Sequence, residues 1–315
     1  MASSVLSYRD AVRELDARGQ GIRPDLGRIR ALADLLDHPE RTYPSIQVTG
    51  TNGKSSTVRM IGRILAAHGL KTGLYSSPRL QSIRECFVVA DESSTDLISQ
   101  EDFAATLQYL RPFVEVVELE RDEDVTSFEL LTALAFEWMA QQTVGAGVFE
   151  VGMGGAWDAT NVAPGQVAAI TRVAVDHERF LGPTPLDNAR EKAGIVKPEA
   201  RVVSADQDPE VLALVERAAT AYTERREAMV AALRAVGIAA TAPSGLNVWV
   251  PVPDEDAAVR ALLAAGASVA AGAPYRLDSG PAIRITTAAL PPADAPALAA
   301  ALAAAVNPPR RTRAA

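Results

Sequence analysis

Val48-Thr49-Gly50-Thr51-Asn52-Gly53-Lys54-Ser55-Ser56 is the stretch on which the reading of this chain turns. The extended segment Tyr43-Pro44-Ser45-Ile46-Gln47-Val48 leads into it, and helical spacing from Thr57 to His68 follows. Strand, glycine turn carrying Gly-Lys-Ser, then helix is the order a nucleotide phosphate cradle needs. Glycines let backbone N–H groups close around phosphate oxygens, and the helix N-terminus adds its positive end. The lysine supplies a mobile charge and a hydroxyl supplies a Mg²⁺ ligand. The long form of the pattern would place Gly at position 48, where Val48 stands, so this is a shorter variant. The competing reading is a strand-to-helix turn with a solvated lysine, and the flanking strand and helix favour the cradle. The candidate nucleotide-binding residues are Gly50, Thr51, Asn52, Gly53, Lys54, Ser55 and Ser56.

Outward from this loop, short apolar segments alternate with helical ones. Helical spacing covers 8–18 and 25–36, Asp102–Leu110 (expected to stop at Arg111-Pro112) and Phe128–Gln142. Leu74–Ser77, Gly147–Val151, Val167–Thr171, Val173–Val175 and Val202–Ser204 read as strands or strand ends. This alternation predicts an α/β fold, a P-loop-type, mostly parallel sheet with helices on both faces. After about residue 219 the texture changes to helix Tyr222–Val236, strand Gly245–Val252, a helix capped by Asp254, strand Ala282–Thr287 and helix Ala293–Val306. That run predicts a small two-layer α/β unit. The expected division is 1–219, 220–307 and a disordered basic tail, 308–315.

With 48% hydrophobic and 22% charged residues the chain has an ordinary globular composition. A net charge of −8 and a pI near 5.1 argue against a nucleic-acid partner. The single Cys86 excludes an intrachain disulfide and a cysteine metal cluster. No secretion signal and no bilayer-spanning run is read, so a cytoplasmic protein with no membrane partner is expected. Lysines are few: Lys54, Lys71, Lys192 and Lys197.

Parallel α/β sheets collect ligand groups at the carboxyl ends of their strands. Three candidates stand there: Ser76-Ser77, Glu150 ahead of Gly152-Met153-Gly154-Gly155, and Asp176-His177. A carboxylate, a hydroxyl and a neutral imidazole beside a triphosphate form a shell for a partly hydrated Mg²⁺. The alternative for His177 is a hydrogen-bonded structural histidine, and for Lys192 a solvated or paired lysine.

Taken together, these motifs carry a resemblance. About Ser7 to Ala219 resembles the N-terminal two-thirds of the folylpolyglutamate synthase / dihydrofolate synthase family, relatives of the Mur ligases. The matching pieces are the Val48–Ser56 loop, Tyr75-Ser76-Ser77-Pro78, Ser127–Phe136, Glu150–Gly155, Trp157–Asn161, Asp176-His177, Leu181–Thr184 and Glu191–Pro198. The resemblance implies ATP-dependent amide formation. A dihydropteroate or folate carboxylate takes the γ-phosphoryl group of ATP, and the amine of L-glutamate then displaces phosphate. It also implies a P-loop for ATP, Mg²⁺ on Ser77, Glu150 and His177, and a carbamylated Lys192. Lys54, Lys192 and His177 are the implied catalytic residues, and a monomer is the expected state.

Three positions depart from the family pattern. Arg79 stands where His is usual after Ser-Pro, Cys86 where Arg follows Glu85, and Ala156 where Arg follows the glycine pair. The family's C-terminal domain, with its Asp-Gly-x-His-Asn type segment, has no counterpart after Ala219, so impaired turnover is expected. Residues 222–306 are instead similar to the small domain of fold-type-I aminotransferases and of aminotransferase-like GntR-type regulators. The similarity runs through Ser244–Pro251, Gly272–Tyr275 and Ala282–Thr286. Arg284 would match their carboxylate-gripping arginine. No lysine follows Lys197 to hold pyridoxal phosphate. The chain therefore resembles a fusion of two incomplete enzymes, and the readings left open are a ligase, an aminotransferase-like binding fragment, or a hybrid without activity.

Overall fold

In a computed structural model, residues 6–19, 23–198, 200–242, 247–273, 280–287 and 290–306 are described. The chain divides into two compact units, Met1–Val215 and Glu216–Ala315. The basic tail lies outside the described residues, as do the strand start Gly245-Leu246 and Pro274-Tyr275.

The first unit opens with helices α1 (Tyr8–Ala17) and α2 (Gly27–Leu35). Strand β1 (Ser45–Thr49) then runs into the glycine loop and α3 (Lys54–Ala67). β2 (Thr72–Tyr75), β3 (Phe87–Ala90) and β4 (Thr95–Leu97) precede α4 (Gln100–Arg121) and α5 (Ser127–Gln141). β5 (Ala146–Glu150), β6 (Val167–Ile170), α6 (Glu178–Leu181), α7 (Pro185–Lys192) and β7 (Arg201–Ser204) complete the unit. The boundary at Val215 falls inside α8 (Pro209–Ala235).

The seven strands lie in the order β4-β3-β2-β5-β1-β6-β7. β2, β5, β1, β6 and β7 are parallel, and β3 and β4 are added antiparallel. Register sorts the two faces. The row Val88–Leu74–Val148–Ile46 faces α3, whose Val58, Ile61 and Leu65 pack on it. The next row, Phe87–Tyr75–Phe149, packs into the core built with α4 and α5, where Phe103, Phe136 and Trp138 meet it. Each face is apolar because alternate residues of a strand point to opposite sides, and a sheet covered on both sides must bury both. β1 has β5 on one side and β6 on the other, so its carboxyl end opens at the centre of the sheet.

Three sequence expectations are corrected. α4 does not stop at Arg111-Pro112; it continues to Arg121 with Pro112 inside. A mid-helix proline costs about 3 kcal/mol, and burial of Leu107, Leu110, Val114 and Val117 along one stripe outweighs that cost. Val173–Val175 is not a strand: Val173 N–H bonds the Gln207 side chain and Ala174 N–H bonds Thr51 Oγ1 in place of a ladder. The helix read as Tyr222–Val236 is the second half of α8. β7 is an edge strand whose Val203 is 60% exposed.

The second unit is a three-stranded antiparallel sheet, β8 (Asn247–Pro251), β10 (Ala282–Thr286) and β9 (Ala270–Ala271), in the order β8-β10-β9. α9 (Glu255–Ala264) and α10 (Ala295–Val306) close one core with Val248, Val250, Ile283 and Ile285. Asp254 caps α9 as its position suggests, accepting the Ala257 N–H at 2.9 Å. Among the described residues no helix is long and apolar enough to cross a membrane.

Candidate active site

The loop after β1 is held open by its own backbone. Gly53 caps α3 with φ of 86°, in the left-handed region that only glycine enters cheaply. Gly50 has φ of 136°, and a β-carbon there would lie 1.8 Å from Thr171 Oγ1, which itself donates to Asn52 O. Gly50→Ala is therefore expected to destabilise the first unit by about 1–3 kcal/mol. Thermal melting of the ligand-free protein checks this.

Lys54 Nζ folds back onto the loop, donating to Gly50 O at 3.0 Å and Thr51 O at 3.2 Å. Thr51 ties the loop to the segment after β6, its hydroxyl bonding Ala174 O. Beside the loop, the Glu150 carboxylate is almost fully buried at the end of β5. It accepts the Ser55 hydroxyl at 2.9 Å and the Ser77 N–H at 3.2 Å. Burial pushes its pKa up, and these two hydrogen bonds and the Lys54 charge pull it back. The convergence follows from register: Val48 pairs with Glu150, so the end of β5 lies against the start of the loop.

All of this opens into one cleft of about 900 Å³. Thr51, Asn52, Gly53, Lys54, Ser55, Ser77, Glu150 and His177 line it; Gly50, Ser56 and Lys192 do not. His177 is partly exposed, and its Nε2 lies 3.6 Å from Asp176 Oδ1. With φ of 48° it starts α6 through its carbonyl, which accepts from Phe180 and Leu181. Among the described residues no three His, Cys, Asp or Glu side chains converge as a metal cluster. Metal donors at Glu150 would thus be one carboxylate and the Ser55 hydroxyl beside it.

Lys192 is not a solvated lysine. It is 2% exposed, and burial lowers its pKa to about 8, with Lys54 adding to the shift and Asp176, Asp158 and Glu191 opposing it. A folded-state pKa below the unfolded value of 10.5 means the unfolded chain binds more protons between the two. Stability from this group is lowest below pH 8 and rises toward pH 10.5. Lys192→Met is expected to stabilise the unit near pH 7, on the order of 2 kcal/mol. The difference should vanish as pH approaches 10, and melts across that range read it.

Sequence reasoning missed several cleft residues. Tyr75, Phe128 and Trp157 form an apolar wall, and buried Asp158 anchors the glycine run by accepting from Met153 N–H and Thr160. The Trp-Asp-Ala-Thr-Asn string was the available signal. Of the three departures, Arg79 pairs with Asp16 at 3.0 Å on the cleft wall. Cys86 is buried there, its thiol pushed up to about 11 by burial. Ala156 packs against Gly194, where a β-carbon would come within 2.4 Å of the Ala156 methyl. In the second unit, Arg284 sits on β10 opposite Trp249.

This chain resembles known proteins over most of its length. It is 37% identical over 296 residues to a dihydrofolate synthase/folylpolyglutamate synthase of Mycobacterium tuberculosis, covering 85% of this chain and 60% of that one. A Bacillus subtilis protein of the same description is 35% identical over 215 residues, 68% of this chain and 49% of its own. Among solved structures, M. tuberculosis folylpolyglutamate synthase complexed with ADP and AMPPCP superposes with a TM-score of 0.62 at 37% identity, covering 68% of this chain and 48% of that one. A folylpolyglutamate synthase–AMPPCP–folate complex gives 0.64 at 32% identity, with coverages of 69% and 52%. The chain thus spans about half to three-fifths of the length of these relatives. Residues 196–302 match aminotransferase class I and II, in keeping with the two-part resemblance read from sequence. Residues 48–228, more than half of the chain, match the Mur ligase middle domain, and the chain belongs to that family.

Proposed function

We propose that the first unit binds Mg-ATP over Gly50–Ser56 and carries out the phosphoryl-transfer half of an amide ligase. That ligase joins L-glutamate to a dihydropteroate or folate carboxylate through an acyl phosphate. The observation that carries this is the buried Glu150 carboxylate beside the phosphate loop, taking the Ser55 hydroxyl and the Ser77 N–H. Relatives solved with ADP and AMPPCP, and with AMPPCP and folate, support nucleotide and folate as ligands.

Loop N–H groups and the start of α3 would hold the phosphates, and Lys54 would exchange its two loop carbonyls for phosphate oxygens. Glu150, Ser55 and Ser77 are hard-oxygen donors that fit Mg²⁺, with His177 at the cleft edge. When bound, Mg²⁺ neutralises charge on the transferred phosphoryl group. The substrate carboxylate oxygen bonds the γ-phosphorus as ADP leaves. The glutamate amine, having given up its ammonium proton to solvent, then attacks the acyl carbon; the C–N bond forms as the C–O bond to phosphate breaks, phosphate departs, and the second amine proton passes to solvent. A lysine whose pKa lies near 8 keeps a neutral fraction at physiological pH, which is what carbamylation of Lys192 requires. The apolar wall of Tyr75, Phe128 and Trp157 suits an aromatic substrate body. On this reading the protein is a cytoplasmic monomer acting on small molecules.

The test is phosphate release with Mg-ATP, a folate or dihydropteroate, and glutamate. Release that needs all three supports the ligase. Bound nucleotide with no glutamate-dependent release would refute ligase chemistry. The aminotransferase match of the second unit favours a second reading, a binding module without pyridoxal phosphate chemistry. No visible absorbance band is expected when that cofactor is added, because no lysine follows Lys197.

A further inference from the structure

β6 ends at Ile170 and β7 at Ser204, yet the pairing between them runs one rung further through a side chain. Ala205 N–H still bonds Ile170 O, and beyond it the Gln207 carboxamide takes over. Its Nε2 donates to Thr171 O at 2.9 Å, and its Oε1 accepts the Val173 N–H at 2.9 Å. Bonding the carbonyl before a residue and the N–H after it is what a peptide group of a neighbouring parallel strand does, so the primary amide stands in for backbone. Nε2 also reaches Ser204 Oγ at 3.2 Å, which ties the amide to the end of β7. The opposite edge of the same segment belongs to the phosphate loop. Thr51 N–H bonds Arg172 O at 3.1 Å, and Thr51 Oγ1 both donates to Ala174 O and accepts the Ala174 N–H. Thr171 Oγ1 donates to Asn52 O at 2.7 Å. The loop thus leans on residues 171–174, which are neither strand nor helix, and their far edge rests on Gln207.

We propose that Gln207 is a positioning residue for the phosphate loop and sets how tightly the loop holds nucleotide. The inference rests on the nucleotide reading above. An anion cradle works only while its N–H groups face the phosphates and its carbonyls face away. In the free protein Lys54 holds the carbonyls of Gly50 and Thr51, and the Thr171 hydroxyl holds that of Asn52. Thr171 is placed in turn by Gln207, through its own carbonyl. Without the carboxamide, Thr171 O and Val173 N–H turn to water, and residues 171–174 spend part of their time away from Thr51 and Asn52. Nucleotide binding must then re-form those contacts, and affinity falls by the fraction of molecules that hold them. Gln207 does not line the cleft, so its effect passes through these contacts and not through the ligand.

Mg-AMPPCP is titrated by calorimetry against the full chain, Gln207→Met, Thr51→Val and the double variant, and amide hydrogen exchange is followed by NMR in the ligand-free proteins. Gln207 is half-buried in the turn ahead of α8, and methionine keeps its length while removing both bonds. Gln207→Met is expected to weaken AMPPCP about fivefold, the worth of one neutral hydrogen bond. In the Thr51→Val background the same change should cost about twofold or less, because the hydroxyl link it acts through is gone. Thr51 N–H should exchange faster in Gln207→Met, while Val148 N–H in the central strand β5 keeps its wild-type rate. A purely structural role would speed both amides together. Should the methionine variant not fold, Gln207→Asn, one methylene too short to span both bonds, gives the same comparison. Unchanged affinity, equal losses in the two backgrounds, or exchange that rises equally at Thr51 and Val148 overturns the assignment and leaves the nucleotide reading standing. If the wild type binds no AMPPCP, the nucleotide reading fails and exchange alone decides the positioning. Thr51 faster with Val148 unmoved then supports it, and an unmoved Thr51 overturns it.

Discussion

Mg-ATP at about 100 times its Kd is expected to stabilise the first unit by about 2.7 kcal/mol. For a unit the size of Met1–Val215 that is a rise of about 5–10 °C in its melting transition. Lys54→Ala should remove most of the rise. In the free protein the Lys54 ammonium bonds two loop carbonyls, Gly50 O and Thr51 O, within the loop proposed to hold the phosphates. Its removal leaves backbone N–H groups and the α3 dipole to balance a triphosphate, a small part of the charge required. Ser55→Ala should cut the Mg²⁺-dependent part of the rise, because Ser55 is the hydroxyl that joins the loop to Glu150. Differential scanning fluorimetry with ATP, with and without EDTA, reads both. No shift in the wild type at millimolar Mg-ATP sinks the nucleotide site. An equal shift in wild type and Lys54→Ala places ATP elsewhere.

What could be read in advance was whatever chemistry is local in the chain. The glycine loop declares itself because Gly50 and Gly53 hold backbone conformations other residues avoid and because strand and helix flank it within a few residues. Glu150 was legible as the polar residue ending an apolar strand. The Ser55–Glu150 hydrogen bond was not, since the partners are 95 residues apart and meet through the β1–β5 register. β4 escaped notice because Thr95–Leu97 is three exposed residues with no alternation to detect. Pro112 misled for the opposite reason: a strong local stop signal was overruled by a buried stripe that only the folded core supplies. Lys192 looks like any helix-terminal lysine in sequence, and only the packing around it makes it dry.

Packing creates a similar hidden dependence at the start of α5, where Glu129→Ala is expected to cost about 3–5 kcal/mol. Both Glu129 carboxylate oxygens accept Arg28 Nε at 3.1 Å, and Oε2 also takes the Thr126 N–H and hydroxyl in a capping box. Arg28 is 2% exposed, so truncating Glu129 leaves a buried guanidinium whose remaining partners, Glu123 at 2.6 Å and Asp25 at 3.7 Å, are each about half in solvent. Most of the cost is the loss of the one buried carboxylate that balances that charge, and the lost cap adds about 1 kcal/mol. The effect on the melting transition should be a fall of roughly 10 °C or more. Adding Arg28→Met to Glu129→Ala should recover part of the loss, because the stranded charge goes with it. A strictly additive double variant, or a single variant losing under about 1 kcal/mol, would show that Arg28 finds water instead. Thr126, Ser127, Phe128 and Glu129 also line the cleft, so, on the proposed ligase function, the same substitution should weaken binding of a folate substrate at temperatures where the unit is still folded. Capping, ion pair and cleft wall thus depend on one carboxylate.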